Sequence, residues 1–140
     1  MTQDKDKLKI IPLGGLGAIG KNMTVFEYGD DLIIVDCGIM FPTDEQPGID
    51  FLIPDFSYVV RNRHRVRAIL VTHGHEDHIG AIPYLLQEVN APIYATRLTL
   101  GLIQSRLQEK PPREMPVLTE ISPRDVVHIG TFVVEFLQVN

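Results

Sequence analysis

The chain has 140 residues, 44% of them hydrophobic, enough for a single core. Its formal net charge of −5 counts against attraction of nucleic acid by bulk electrostatics, since phosphates must be met by Lys and Arg unless bound cations reverse the field locally. A single cysteine excludes an intrachain disulfide and suits a reducing cytoplasm, and no apolar run is long enough to span a bilayer as a helix.

Residues 1–7 read as a polar tail without a signal-peptide pattern, and residues 8–13 as a first strand. Gly14-Gly15-Leu16-Gly17-Ala18-Ile19-Gly20 has the outline of a phosphate-binding loop, but no clear helix follows, which argues against a dinucleotide site. Gly14, Gly15 and Gly17 still permit close backbone approach to a substrate, the plain alternative being a tight strand connection. Residues 23–28 alternate apolar and polar, residues 32–35 are apolar, and Gly29-Asp30-Asp31 between them supplies turn chemistry, so a hairpin is predicted. Asp36 closes its second arm, where a carboxylate can orient a ligand histidine or simply serve a turn. Cys37 reads as a small buried residue. Residues 37–54, with Pro42, Pro47, Gly48 and Pro54, form a long loop whose Asp44 and Glu45 are solvated. Asp55 caps a short helix with Phe56, Val59 and Val60 on its apolar face. The basic cluster at residues 61–67 reads as a solvated face, RNA contact being the lesser alternative.

Residues 66–72 are predicted as a buried strand that delivers His73-Gly74-His75-Glu76-Asp77-His78 at its carboxyl end, where open α/β sheets place their sites. Three of the five histidines fall in this run, beside an aspartate. Imidazole nitrogen and carboxylate oxygen suit zinc and similar divalent ions. His73 and His75 can point the same way from a turn, with Gly74 letting the backbone fold tightly, and Asp77 and His78 follow one turn later. The ligand types therefore divide two and two between adjacent ions. A polar loop with chance histidines is the bland alternative, and the density of ligand types speaks against it. Glu76, of opposite parity, falls outside the ligand set. A helix is expected from about Ile79, with Ile79, Ile82, Leu85, Leu86 and Val89 on one face and Pro83 tolerated near its first turn. Residues 91–94 are a short strand. A second amphipathic helix carries Leu100, Ile103 and Leu107, widened by Leu98 and Leu102, and ends at Lys110-Pro111-Pro112-Arg113. Residues 117–121, 125–129 and 131–139 read as strands, with Gly130 turning the last pair and His128 a structural histidine. The alternation of strands and helices points to a layered α/β fold.

The run from His73 to His78 has the H-x-H-x-D-H form of the metallo-β-lactamase superfamily. Ile11-Pro12-Leu13-Gly14-Gly15-Leu16-Gly17-Ala18-Ile19-Gly20-Lys21-Asn22-Met23 resembles the opening of the ribonuclease J family. So do Val35-Asp36-Cys37-Gly38, Phe41-Pro42-Thr43-Asp44-Glu45, and Gly48-Ile49-Asp50 followed by Ile53-Pro54-Asp55. The resemblance covers nearly the whole chain. It implies the first half of an αββα sandwich, with residues 8–140 as the N-terminal, incomplete part of a metallo-β-lactamase domain. It implies two divalent ions, zinc favoured and manganese suited to the same ligands, held by His73, His75, Asp77 and His78. Asp77 and His78 would also serve catalysis, Asp36 would orient a ligand histidine, and the glycine-rich loop would border the cleft. The implied reaction is metal-dependent hydrolysis of RNA phosphodiesters, internally and from the 5′ end, in RNA decay and rRNA processing. The full-length protein would be a cytoplasmic homo-oligomer. The family needs further ligands, expected beyond residue 140, so the chain reads as an N-terminal fragment inactive alone. The metal run by itself leaves open a hydrolase of thioesters, lactams or lactones, or a non-catalytic module that binds RNA or a partner.

Overall fold

A computed structural model describes residues 5–139. The predicted polar tail thus lies partly outside the described residues, and its Lys5 is ion-paired with Asp30 at 3.0 Å. One sheet has the order β1-β2-β3-β4-β5-β6, built from Lys9–Gly14, Met23–Tyr28, Asp31–Val35, Val66–Leu70, Ile93–Ala95 and Leu118–Glu120. The first three strands pair antiparallel through the expected hairpin, and β3 to β6 run parallel. The parallel strands follow one another across the sheet, so right-handed crossovers place their connections on one face. Those connections hold α1 (Ser57–Arg61), α2 (Glu76–Ile79), α3 (Ile82–Leu85) and α4 (Arg97–Glu109).

The alternation of side chains along the strands, interrupted where β4 slips register against β3 between Leu32 and Ile33, divides the core in two. Leu32 and Ile34 of β3, and Val66 and Ile69 of β4, join Val59, Ile82, Leu85, Ile103 and Leu107 under the helices. Ile33, Ala68 and Leu70 point the other way and meet Ile129. That residue belongs to a separate hairpin of β7 (Val126–Ile129) and β8 (Phe132–Glu135), which lies over the inner face. The two central strands are therefore apolar on both sides, as parallel strands covered on both faces must be. The arrangement is one half of a two-sheet sandwich, with the hairpin as the only part of an inner layer among the described residues. Ile10 and Val133 remain largely exposed.

The helix expected from Ile79 is two single turns, the first of which begins at Glu76. Its predicted face is buried throughout. What breaks it is a redirected hydrogen bond: Ala81 N–H donates to Cys37 O at 3.0 Å, not to Asp77 O, which accepts from Asn22 N–H at 3.1 Å. Pro83, two residues on, has no N–H to donate. In α4, Ile103 and Leu107 are buried as expected, but Leu98 is 78% and Leu102 43% exposed, so the apolar stripe is narrower than predicted. Asp55 Oδ1 accepts Ser57 N–H at 3.0 Å at the entrance to α1. His128 is exposed on β7.

Asp31 ties the hairpin to the sheet. One carboxylate oxygen accepts Arg67 Nε–H at 2.6 Å and the other Thr131 N–H at 2.7 Å. The Arg67 bond, working against burial and helped by Thr131, holds the carboxyl below the usual aspartate range. This contribution is complete above about pH 4, the ordinary aspartate value, and is lost as pH falls through the lower folded value. Asp31→Asn is expected to lower stability by about 1–2 kcal/mol at neutral pH, Arg67 being partly solvated. Urea unfolding should show the difference from wild type shrinking in acid. A difference that persists unchanged at the lowest pH where both fold would place the effect elsewhere.

Candidate metal centre

The site forms where β4 ends. His73 and His75 lie on the extended segment between β4 and α2, and Asp77 and His78 lie within α2. Ligand atoms of His73, Asp77 and His78 all come within 4.8 Å of one another. The His73 ring centroid is 4.0 Å from that of His78 and 4.6 Å from that of His75. The closest group thus takes one histidine from the extended segment with both helical residues, where the spacing in sequence pairs His73 with His75 and Asp77 with His78. His75 flanks the group. An open groove of about 720 Å³, walled by His73, Leu70, Val134 and Phe136 among others, lies alongside.

Asp36 orders the imidazoles. It sits just past β3 with φ 63°, a left-handed conformation that costs a non-glycine residue about 1–3 kcal/mol and concentrates at functional sites. Its Oδ2 accepts from His78 Nδ1 at 2.7 Å and from the Thr72 hydroxyl at 2.8 Å, and its Oδ1 accepts Thr72 N–H at 2.8 Å. Thr72 Oγ1 is also 3.0 Å from His73 Nδ1. Having donated to Asp36, the hydroxyl can only accept there, so His73 carries its proton on Nδ1. One carboxylate therefore turns the Nε2 lone pair outward on both histidines, directly for His78 and through Thr72 for His73. Burial, then the neighbouring His78 and His75, hold His73 below the usual histidine range, which favours the neutral ring a metal ligand requires.

These donors fit a divalent cation. With its proton on Nδ1, His78 presents Nε2 as an acceptor 3.4 Å from Asp77 Oδ2. The Asn22 amide N–H groups lie beside both acceptors, and a single cation could take His78 Nε2 and Asp77 Oδ2 together in place of that contact to Nε2. Nitrogen and carboxylate oxygen together suit zinc or manganese.

The remaining predicted residues fall around this group. Glu76 pairs with Arg106 of α4. Cys37 is fully buried, which pushes its thiol far above the usual range and leaves it inert. Gly14 and Gly15 lie against Lys21 and Asn22, while Gly17 stands in open space. Two contributors went unnoticed in the sequence. Thr72 had only its place beside the run to suggest it. Asn22, 55 residues away in the chain, touches both Asp77 and His78 and had no local signal.

Backbone contact keeps α2 in place. Cys37 N–H donates to His78 O at 2.8 Å, Ile39 N–H to Glu76 O at 3.0 Å, and Gly38 N–H to Asn22 O at 3.0 Å. Gly38 is the closest point: a Cβ there would lie 1.6 Å from Asp77 O. Backbone cannot yield as a flexible side chain would, so Gly38→Ala must push residues 37–39 off α2. A loss of about 3 kcal/mol is expected, the upper end for overpacking, with a fall in melting temperature of roughly 10 °C and loss of metal uptake. A variant that melts with wild type and retains its metal would show that the contact is not required.

Comparison with known proteins agrees with this geometry. The family model described as the metallo-β-lactamase superfamily matches residues 16–138. The chain is 47% identical over 133 residues to ribonuclease J of Synechocystis sp., covering 94% of this chain and 21% of that protein. It is 55% identical over 104 residues to ribonuclease J 1 of Streptococcus pyogenes, covering 74% and 19%. The chain thus spans about a fifth of the length of these curated relatives. Among solved structures, the metallo-β-lactamase fold protein YhfI from Bacillus subtilis superposes with a TM-score of 0.60 at 20% identity, over 91% of this chain and 51% of that one. By its fold and its sequence, the chain belongs to the metallo-β-lactamase superfamily, and it is homologous to part of ribonuclease J.

Proposed function

We propose that the protein to which this chain belongs is a metal-dependent ribonuclease that hydrolyses RNA phosphodiesters, internally and from the 5′ end, in RNA processing and decay. The observation that carries this reading is the convergence of His73, Asp77 and His78, ordered by Asp36, in a chain about half identical to ribonucleases J. The fold alone would not support it, since one fold hosts many chemistries. Residues 8–140 are read as part of the catalytic domain, with further ligands outside them and no activity in this part alone. The protein is read as a cytoplasmic homo-oligomer.

His73, His75, Asp77 and His78 would hold two divalent ions, zinc favoured. Such ions supply Lewis-acid stabilisation of an in-line phosphate displacement and a nucleophile from water at neutral pH. Asp36 and Thr72 keep the two imidazoles in one tautomer. Asp77 adds the negative charge that retains cations beside an anionic substrate. The Gly14–Gly17 backbone would meet phosphate oxygens near the cleft, which reads backbone and not base sequence.

Two measurements on the full-length protein test this. Elemental analysis should find two divalent ions, and Asp77→Ala or His75→Ala should abolish hydrolysis while circular dichroism stays unchanged. A fully active protein without bound metal would end the metal reading. Rates on RNA bearing a 5′ monophosphate should exceed those on a 5′ triphosphate, with a thioester untouched. Thioester turnover with inert RNA would end the nuclease reading, and equal rates on both 5′ ends would remove only the end preference.

A further inference from the structure

The glycine-rich loop after β1 ends at a residue that reaches the metal run. Asn22 Nδ2 lies 3.0 Å from Asp77 O, 3.2 Å from Asp77 Oδ2 and 3.3 Å from His78 Nε2. All three partners are acceptors once His78 carries its proton on Nδ1, so the amide must present its NH2 and not its oxygen. Its backbone is fixed on both sides, Asn22 N–H donating to Asp77 O at 3.1 Å and Asn22 O accepting Gly38 N–H at 3.0 Å. The loop is shaped to allow this approach. A Cβ at Gly14 would lie 1.9 Å from Lys21 O, and one at Gly15, where φ is +88°, would lie 2.6 Å from Asn22 Oδ1.

We infer that Asn22 is a positioning residue, whose amide holds the Asp77 carboxylate and main chain in place beside His78 Nε2 for a cation that the two residues share. The inference rests on the metal reading above. Asp77 Oδ2 and His78 Nε2 face each other at 3.4 Å and, without a donor between them, would swing apart. A cation taking the Nε2 lone pair competes only with the longest of the three contacts. Of the other two, one holds the Asp77 carboxylate and the other its main-chain carbonyl, so together they fix Asp77 in place. Removal of the amide therefore weakens cation binding; the order lost exceeds the competition relieved. On this reading Gly14 and Gly15 serve to deliver Asn22.

Cobalt(II) titrated into the metal-freed full chain tests the idea, because its visible bands report ligand geometry independently of activity. Asn22→Leu keeps the bulk without the donor, Asn22→Ser removes the reach without adding bulk, and Asn22→Gln keeps an amide on a longer stem. Circular dichroism establishes that each variant is folded at the titration temperature; Ser, which cannot clash, gives the reading if Leu is not accommodated. Cobalt affinity should fall by about tenfold or more in the Leu and Ser variants, the scale seen when groups supporting metal ligands are removed, with altered band positions. The Gln variant should recover part of the loss. Wild-type affinity and bands in the Ser variant would overturn the inference, as would tighter binding, which would make the amide a mere competitor. A wild-type chain that takes up no cobalt would bring down the metal reading itself, whereas uptake insensitive to Asn22 sinks this inference alone.

Discussion

The arrangement turns on one buried carboxylate. Asp36 leaves the end of β3 in a left-handed conformation and bonds to Thr72, two residues past the neighbouring strand β4, and to His78 of α2. A buried charge is tolerated only when its lone pairs are met. Here Thr72 N–H, the Thr72 hydroxyl and His78 Nδ1–H meet them. The same bonds lock the exit of β4 to α2 and set the tautomers of two imidazoles. Satisfying the charge and aiming the ligands are thus one event, and the strain at Asp36 is held by three bonds that a slack loop could not supply.

Around that carboxylate the fold brings acceptors together and then supplies donors from far along the chain. Asp77 O receives the backbone and side-chain N–H groups of Asn22, which frees Ala81 N–H to seek Cys37 O and divides the helix after the metal run. Residues 37–39 then lie so close to α2 that only glycine fits at position 38. A continuous helix from His75 would claim the Asp77 carbonyl that here accepts the backbone and side-chain N–H groups of Asn22.

The acidic composition and an RNA substrate are compatible in these terms. Much of the basic cluster is spent on structure: Arg65 bonds the Gly29 carbonyl and pairs with Glu27, and Arg67 pairs with Asp31. Burial pushes the Glu27 carboxyl up, but the Tyr58 hydroxyl, Arg65 and Lys9 together outweigh it and hold it charged. Local positive charge for a phosphate would come from cations at the metal centre, where the ligand chemistry favours them, not from the net charge of the surface.

The sequence by itself located the strands (the last, read over residues 131–139, spans only Phe132–Glu135), the hairpin at Gly29-Asp30-Asp31, the buried face from Ile79 to Val89 and the ligand run. These follow from periodicity, turn chemistry and ligand types that are adjacent in the chain. Asp36 was legible as a group that could orient a histidine, because it closes an apolar strand. Only the tertiary structure decided that the closest ligand group is His73, Asp77 and His78, that Leu98 and Leu102 stay largely outside the core, and that the helix breaks after one turn. It alone brought Thr72 between Asp36 and His73, and Asn22 onto Asp77. Those outcomes depend on which backbone groups compete for one carbonyl and which side chains meet across 36 to 56 residues of separation, and no local pattern carries that information.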